Sequence, residues 1–321
     1  APDTPPAIWG IGQDVLWARG ESLVIGGPPG VGKTTLVQQL VLATIGLREN
    51  LLGYPVTQLN RVLYLASDRP AQAQRSFGRM VTPDMRDTLD ARLPIWKGPP
   101  PADVAKDTSI LLKLAQAAEA DGIVLDSIKD MAIGLSEDDV GAAFNQAVQI
   151  CLAADIEVLG IHHPRKAGQG NAKEPLSVDE FYGSTWITAG AGSVISLYGV
   201  AGDPIVSFRH LKQPAIELGP WRLKHDHQNG VTEIFHQVNV LDLLVHSNAQ
   251  GLTAKQVARA LFPKDDGTNT ESEVEKARRR LDGLVREELA VRRGGGRGRG
   301  NEATYHAAFT SSGELPFDHN M

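Results

Sequence analysis

The residues with the clearest chemical signature are Gly27-Pro28-Pro29-Gly30-Val31-Gly32-Lys33-Thr34-Thr35. They satisfy the spacing G-x-x-x-x-G-K-[ST], after an apolar strand-like run and before a helical pattern carrying Leu36, Val37, Leu40 and Val41. Glycines at these positions let successive backbone N–H groups turn inward around a phosphate, and the following helix N-terminus adds partial positive charge. Lys33 then reaches the β- and γ-phosphates and Thr34 ligates Mg²⁺, so the implied ligand is Mg²⁺ with ATP. Holding the water shell of that ion takes a second acid at the end of a neighbouring apolar strand. Asp126, closing Gly122-Ile123-Val124-Leu125, meets the requirement; the competing reading is an acid that caps a turn. Two further apolar runs end in reactive groups, 62–66 in Ser67-Asp68 and 158–161 in His162-His163. A strand-end acid can orient and deprotonate water. A histidine pair in the same kind of place is, on its own, more often structural.

Such groups converge only if the strands carrying them run parallel. Strand-like runs lie at 22–25, 61–66, 93–97, 122–126, 157–161 and 193–197, with helix-period stretches at 33–46, 70–80, 107–120 and 137–153 between the earlier ones. The alternation predicts an α/β fold, a mostly parallel sheet with helices on both faces. Segments 204–212 and 216–224 follow without helices and predict antiparallel additions at one edge. Near 226–236 the pattern changes, which divides the chain into a domain over 1–232 and a smaller one over 233–321 with a flexible C-terminal tail. In the second, helices are expected at 238–247, from an N-cap at Thr253 to 262, and at 273–289. A β-ribbon, 291–293 with 303–308, follows around a Gly/Arg turn at 294–300, the only low-complexity stretch.

The stretches 27–35, 63–70, 123–127 and 161–166, followed by Gly183-Ser184-Thr185, resemble in their order the RecA/DnaB-type P-loop ATPases, and most closely the RepA-like hexameric replicative helicases. The resemblance spans about residues 8–224. It implies water activation by Asp68 and γ-phosphate sensing by His162 or His163. The family usually carries Glu where this chain has Asp68, one methylene shorter. Some relatives place a trans-acting arginine near 187–193, where this chain has none. That shifts the expectation to Arg209 and Lys212, with Arg209 favoured because its planar fork suits phosphate. The segment after His163 carries Arg165, Lys166 and Lys173; in the resembled family the corresponding loop faces a central channel and grips single-stranded DNA, a sequence-blind, salt-sensitive contact. The C-terminal unit resembles a winged helix-turn-helix. Lys276, Arg279 and Arg280 would project from its third helix opposite Val274, Ala277, Leu281, Leu284 and Val285, and Arg292, Arg293, Arg297 and Arg299 would decorate the wing.

Composition sets the outer limits. The 321 residues carry 32 Lys+Arg against 38 Asp+Glu, net −6, with the acidic excess before residue 237 and nine basic against four acidic residues within 274–300. Polyanion binding is therefore expected locally, not over the whole surface. No apolar run reaches the ~18 residues of a membrane span. One cysteine, Cys151, excludes an internal disulfide and a cysteine-built zinc site, and a cytoplasmic location is expected. The first residues show no signal peptide. Starting without Met fits either Met removal or the C-terminal motor of a longer chain, for instance behind a primase-polymerase module. The leading expectation is an ATP-driven ring, a homo-oligomer and by resemblance a hexamer, that moves on single-stranded DNA and unwinds duplex in replication. Its winged helix would hold duplex DNA, a primase or another replication protein. Two alternatives stay open: a non-helicase RecA-like DNA-dependent ATPase, such as a recombination mediator or helicase loader, and a winged-helix DNA-binding regulator in which ATP sets oligomeric state. For a small-molecule kinase, no acceptor pocket is recognisable.

Overall fold

Apolar side chains of the central strands alternate between two separate cores. Leu23 and Ile25, Val62 and Tyr64, Leu159 and Ile161, and Ile195 and Leu197 enter one core, while Val24, Leu63, Leu65, Ile123, Leu125, Val158 and Val194 enter the other. A strand that points successive side chains to opposite faces, with both faces apolar, has to be covered on both sides. A computed structural model describes residues 4–163, 174–178, 185–235, 239–247, 250–262, 268–295 and 302–308, and it divides into two units, Ala1–Phe235 and His236–Met321.

The first unit opens with a hairpin, β1 (Ala7–Ile11) and β2 (Asp14–Ala18), then β3 (Leu23–Gly26) and α1 (Lys33–Thr44). A short ribbon, β4 (Asn50–Leu51) and β5 (Tyr54–Pro55), leads to β6 (Val62–Ala66), α2 (Pro70–Gly78), α3 (Arg86–Arg92) and the edge strand β7 (Ile95–Lys97). Next come α4 (Ile110–Ala117), β8 (Gly122–Asp126), α5 (Asp138–Ala153), β9 (Glu157–His162), α6 (Thr185–Ala189) and β10 (Ser193–Tyr198). A meander of β11 (Ile205–Lys212), β12 (Trp221–Asp226) and β13 (Val231–Ile234) completes it. The nine-stranded sheet has the order β13-β12-β11-β10-β3-β9-β8-β6-β7. From β10 to β7 every pairing is parallel, and from β10 to β13 every pairing is antiparallel. Leu36, Val37, Leu40 and Val41 of α1 and Phe77 of α2 cover one face; Leu111 of α4, with Phe144, Ala147 and Val148 of α5, covers the other.

Three details depart from the sequence expectation. β12 begins at Trp221 rather than near 216, because Pro220 before it has no N–H for a ladder. β13 spans the expected boundary at 232/233, and the units divide after Phe235. Its four residues are too short a pattern to read alone, and it is held by pairing with β12 and by Gln39 of α1, which bonds both the amide and the hydroxyl of Thr232. The hairpin β1–β2, the ribbon β4–β5, α3 and α6 have no counterpart among the elements expected from the sequence.

The second unit comprises α7 (Val240–His246), β14 (Leu252–Thr253), α8 (Ala254–Leu261), α9 (Glu271–Arg286), β15 (Ala290–Arg293) and β16 (Thr304–Ala307). The strands form an antiparallel sheet ordered β14-β16-β15. Thr253 with Gln256 and Thr270 with Glu273 form complete capping boxes, which is why α9 starts two residues earlier than its apolar period indicated. Val257, Ala258, Ala277, Leu281 and Tyr305 make the core. Among the described residues no helix is long and apolar enough to cross a membrane.

Candidate active site

Parallel strands deliver their C-terminal ends to one edge of a sheet, and the first unit places its reactive groups there. The loop after β3, Asp68 after β6, Asp126 at the end of β8 and His163 after β9 line a single cleft of about 710 Å³. β3, β9, β8 and β6 are consecutive neighbours in the sheet, and crevices outside strand carboxyl ends are where open α/β sheets bind ligands.

The loop is shaped by glycines in the left-handed region. Gly27 has φ +148° and Gly32 φ +85°, and a Cβ on Gly27 would run into the Leu197 carbonyl. A Cβ on Gly32 would run into the ring of His225 on β12. Lys33, the first residue of α1, folds back so that its ammonium donates to the Gly27 and Pro28 carbonyls, each at 2.7 Å. Burial pulls its pKa down to about 8, partly offset by the Asp126 charge. Thr34 and Thr35 line the cleft beside it.

Asp126 is buried, and desolvation pushes its carboxyl up to about 6, against a lowering hydrogen bond from Tyr64. That bond, from the Tyr64 hydroxyl to Asp126 Oδ2, measures 2.6 Å. A buried carboxylate and a neighbouring hydroxyl are hard oxygen donors of the kind Mg²⁺ takes, and this ion is commonly held by one or two protein oxygens with waters and substrate phosphates. Thr34 and Asp126 therefore fit the cation, without the dedicated ring of acidic, histidine or cysteine ligands that the described residues do not contain.

Asp68 is not a free acid. Lys129 donates to its Oδ1 at 2.9 Å, and Arg69 approaches its Oδ2 at 3.8 Å. Burial raises the carboxyl, but the Lys129 hydrogen bond and the Lys129 and Arg69 charges hold it below its usual range. His163 faces the cleft with its pKa pressed to about 4, first by burial and then by the Lys33 and Lys129 charges, so it is a neutral imidazole at pH 7. His162 is buried at the end of β9, in register with Gly26 at the start of the loop.

The cleft also contains groups that local sequence did not announce. Arg75, Arg79 and His227 line it. His225 is buried behind the loop, its Nδ1 2.8 Å from the Thr232 hydroxyl. That hydroxyl also accepts from Gln39 at 2.8 Å, which fixes the ring with its Nε2 edge against Gly32. Only the three-residue step from Asp126 to Lys129 offered any signal; Tyr64 and His225 reach the site through the sheet.

Other expected residues lie elsewhere. Arg209 donates to Glu174 Oε1 at 2.9 Å, and Lys212 to the Ala189 carbonyl at 2.8 Å; neither lines the cleft of its own chain. In the second unit Lys276, Arg279, Arg280, Arg292 and Arg293 are exposed. Arg279 pairs with Glu275 at 3.7 Å, and the Arg292 guanidinium lies 5.9 Å from the Tyr305 ring centre. Arg165, Lys166, Lys173, Arg297 and Arg299 lie outside the described residues, as do Gly183 and Ser184.

A parallel sheet with a glycine-shaped phosphate loop after one strand, and an acid closing a strand two places away, defines a RecA-like P-loop ATPase. Residues 2–169 match the family model described as AAA domain, and the chain belongs to that family. No curated protein matches it. Similar solved structures include the KaiC-like protein PH0186 from the hyperthermophilic archaeon Pyrococcus horikoshii OT3, at 13% identity and a TM-score of 0.48, covering 68% of this chain and 90% of that one.

Proposed function

We propose that this chain is an ATP-driven motor that assembles as a hexameric ring, moves on single-stranded DNA and separates duplex during replication. One observation carries the reading. His163 faces the phosphate cleft, and it is followed by Pro164 and then by Arg165 and Lys166, two basic side chains in an otherwise acidic domain. A change at the terminal phosphate is thereby one peptide bond from a segment suited to gripping a strand.

In this mechanism Lys33 and the loop amides hold the phosphates, and Thr34 and Asp126 hold Mg²⁺, which would withdraw charge from the phosphate oxygens. Asp68 orients and deprotonates the attacking water. Arg209 or Lys212 of a neighbouring copy neutralises charge on the leaving group; each is tethered within its own chain and would exchange that partner for phosphate. Arg165, Lys166 and Lys173 pair with the single strand. The C-terminal unit acts in this reading as a winged helix: Lys276, Arg279, Arg280, Arg292 and Arg293, which are exposed, together with Arg297 and Arg299 of the intervening sequence, would meet duplex DNA, with a primase or other replication protein as the alternative partner. A cytoplasmic setting accompanies this role.

A second reading draws on the Arg209–Glu174 and Asp68–Lys129 pairs, which restrain both the finger and the base: a DNA-dependent ATPase that remodels or loads without unwinding. The decisive experiment is ATP hydrolysis with and without single-stranded DNA, alongside the native mass of the nucleotide-bound protein and a strand-separation assay. Stimulation, a closed oligomer and unwinding are expected. Stimulation without unwinding supports the second reading, and a monomer with unstimulated turnover overturns both.

A further inference from the structure

Lys129 sits on the short turn Ile128–Asp130 that follows Asp126. Its ammonium is 2.9 Å from Asp68 Oδ1 and 3.7 Å from Asp130 Oδ1, and its side chain lines the same cleft as Lys33. Phosphate-loop spacing does not call for a second lysine here. The position has consequences all the same, because a carboxylate tied to an ammonium cannot readily accept a proton from water.

We propose that Lys129 is a second phosphate-binding lysine that is shared between two anions: it pairs with Asp68 in the nucleotide-free chain and transfers to the terminal phosphate oxygens of a bound nucleoside triphosphate, releasing Asp68 as the base. The side chain is 46% exposed on its side of the pair and Asp68 is 28% exposed. A half-exposed ion pair of this kind is weak and readily exchanged, and the ammonium rides on a flexible four-carbon stem. A terminal phosphate carries more charge than one carboxylate and competes for it effectively. In the reaction, the water oxygen bonds to the γ-phosphorus while the bridge to the β-phosphate breaks. The bond pair leaves on ADP, the water proton passes to the freed Asp68 carboxylate, and Lys129 balances charge on the transferring group. With a diphosphate the terminal group is missing and Lys129 stays on Asp68, so the pair distinguishes ATP from ADP and keeps the base masked until the correct nucleotide is bound.

This inference rests on the cleft being an ATP site and is independent of DNA. The test uses the full chain without DNA, comparing wild type, Lys129→Gln and Lys129→Arg. Affinities for a non-hydrolysable ATP analogue and for ADP are measured by calorimetry, and hydrolysis is followed in single turnover. Lys129→Gln is expected to lose about tenfold in analogue affinity, the worth of one charge-assisted hydrogen bond, to bind ADP within about twofold of wild type, and to hydrolyse roughly 100-fold more slowly. Lys129→Arg should restore most of the preference for the analogue. An unchanged analogue-to-ADP ratio in Lys129→Gln overturns the proposal even if hydrolysis slows, because the lysine then acts only on Asp68. A wild-type chain that bound neither nucleotide would overturn the ATP-site reading along with it.

Discussion

Asp126 is a costly residue in the nucleotide-free protein. Desolvation lifts its carboxyl from 3.8 to about 6, so between those values the folded chain binds a proton that the unfolded chain does not. The destabilisation is fully present above about pH 6 and disappears below the unfolded value. Asp126→Asn should therefore stabilise the nucleotide-free protein at neutral pH by about 3 kcal/mol and so raise its melting temperature, while abolishing hydrolysis; thermal melts at pH 7.5 and pH 4 would show the gain only at the higher pH. Lys33 has the opposite sign. Its pKa is drawn down to about 8, chiefly by burial, so the free enzyme loses the ammonium as pH rises through that value. Nucleotide affinity should decline across the same range in a binding titration, and Lys33→Ala should leave no measurable hydrolysis.

At the scale of elements, the phosphate loop depends on what stands behind it. His225 on β12 occupies the space where a Gly32 side chain would go, and Gly32 has φ +85°. Gly32→Ala must strain the backbone and displace the imidazole together. The expected cost is about 1–3 kcal/mol in stability and a larger loss of nucleotide affinity, measured by denaturant titration and calorimetry. In the second unit Thr270 accepts from the Glu273 amide and Glu273 returns a bond to the Thr270 amide. Thr270→Ala should lower the stability of that unit by ~1 kcal/mol, visible as an earlier second-unit transition in a melt.

For the whole molecule, net charge and its distribution govern partners. The first unit is acidic, so under the proposed function attraction to DNA would come from local basic segments and be sensitive to salt. DNA-stimulated turnover should fall steeply as salt is raised from 50 to 200 mM, and the log–log slope of DNA affinity against salt should count the phosphates neutralised. Arg165→Glu with Lys166→Glu should flatten that slope and cut stimulation by about tenfold or more, whereas Arg279→Glu with Arg280→Glu should weaken duplex binding only. Equal salt slopes in wild type and the Arg165/Lys166 variant would remove that segment from the DNA contact.

Sequence alone determined the phosphate loop, the strand-end position of Asp126, the alternation of strands and helices, and the Thr253 cap of α8 in the second unit. Each is written in spacings of two to nine residues, because inward-turned amides, strand alternation and capping boxes are local geometry. Tertiary structure decided which strand ends become neighbours. It set Tyr64 on Asp126 and Lys129 on Asp68, pairs separated by 62 and 61 residues; it placed His225 behind Gly32, and it tied Arg209 to Glu174. Those contacts follow from the register of a nine-stranded sheet, in which a one-residue slip turns every side chain to the other face, and no short run of residues carries that information.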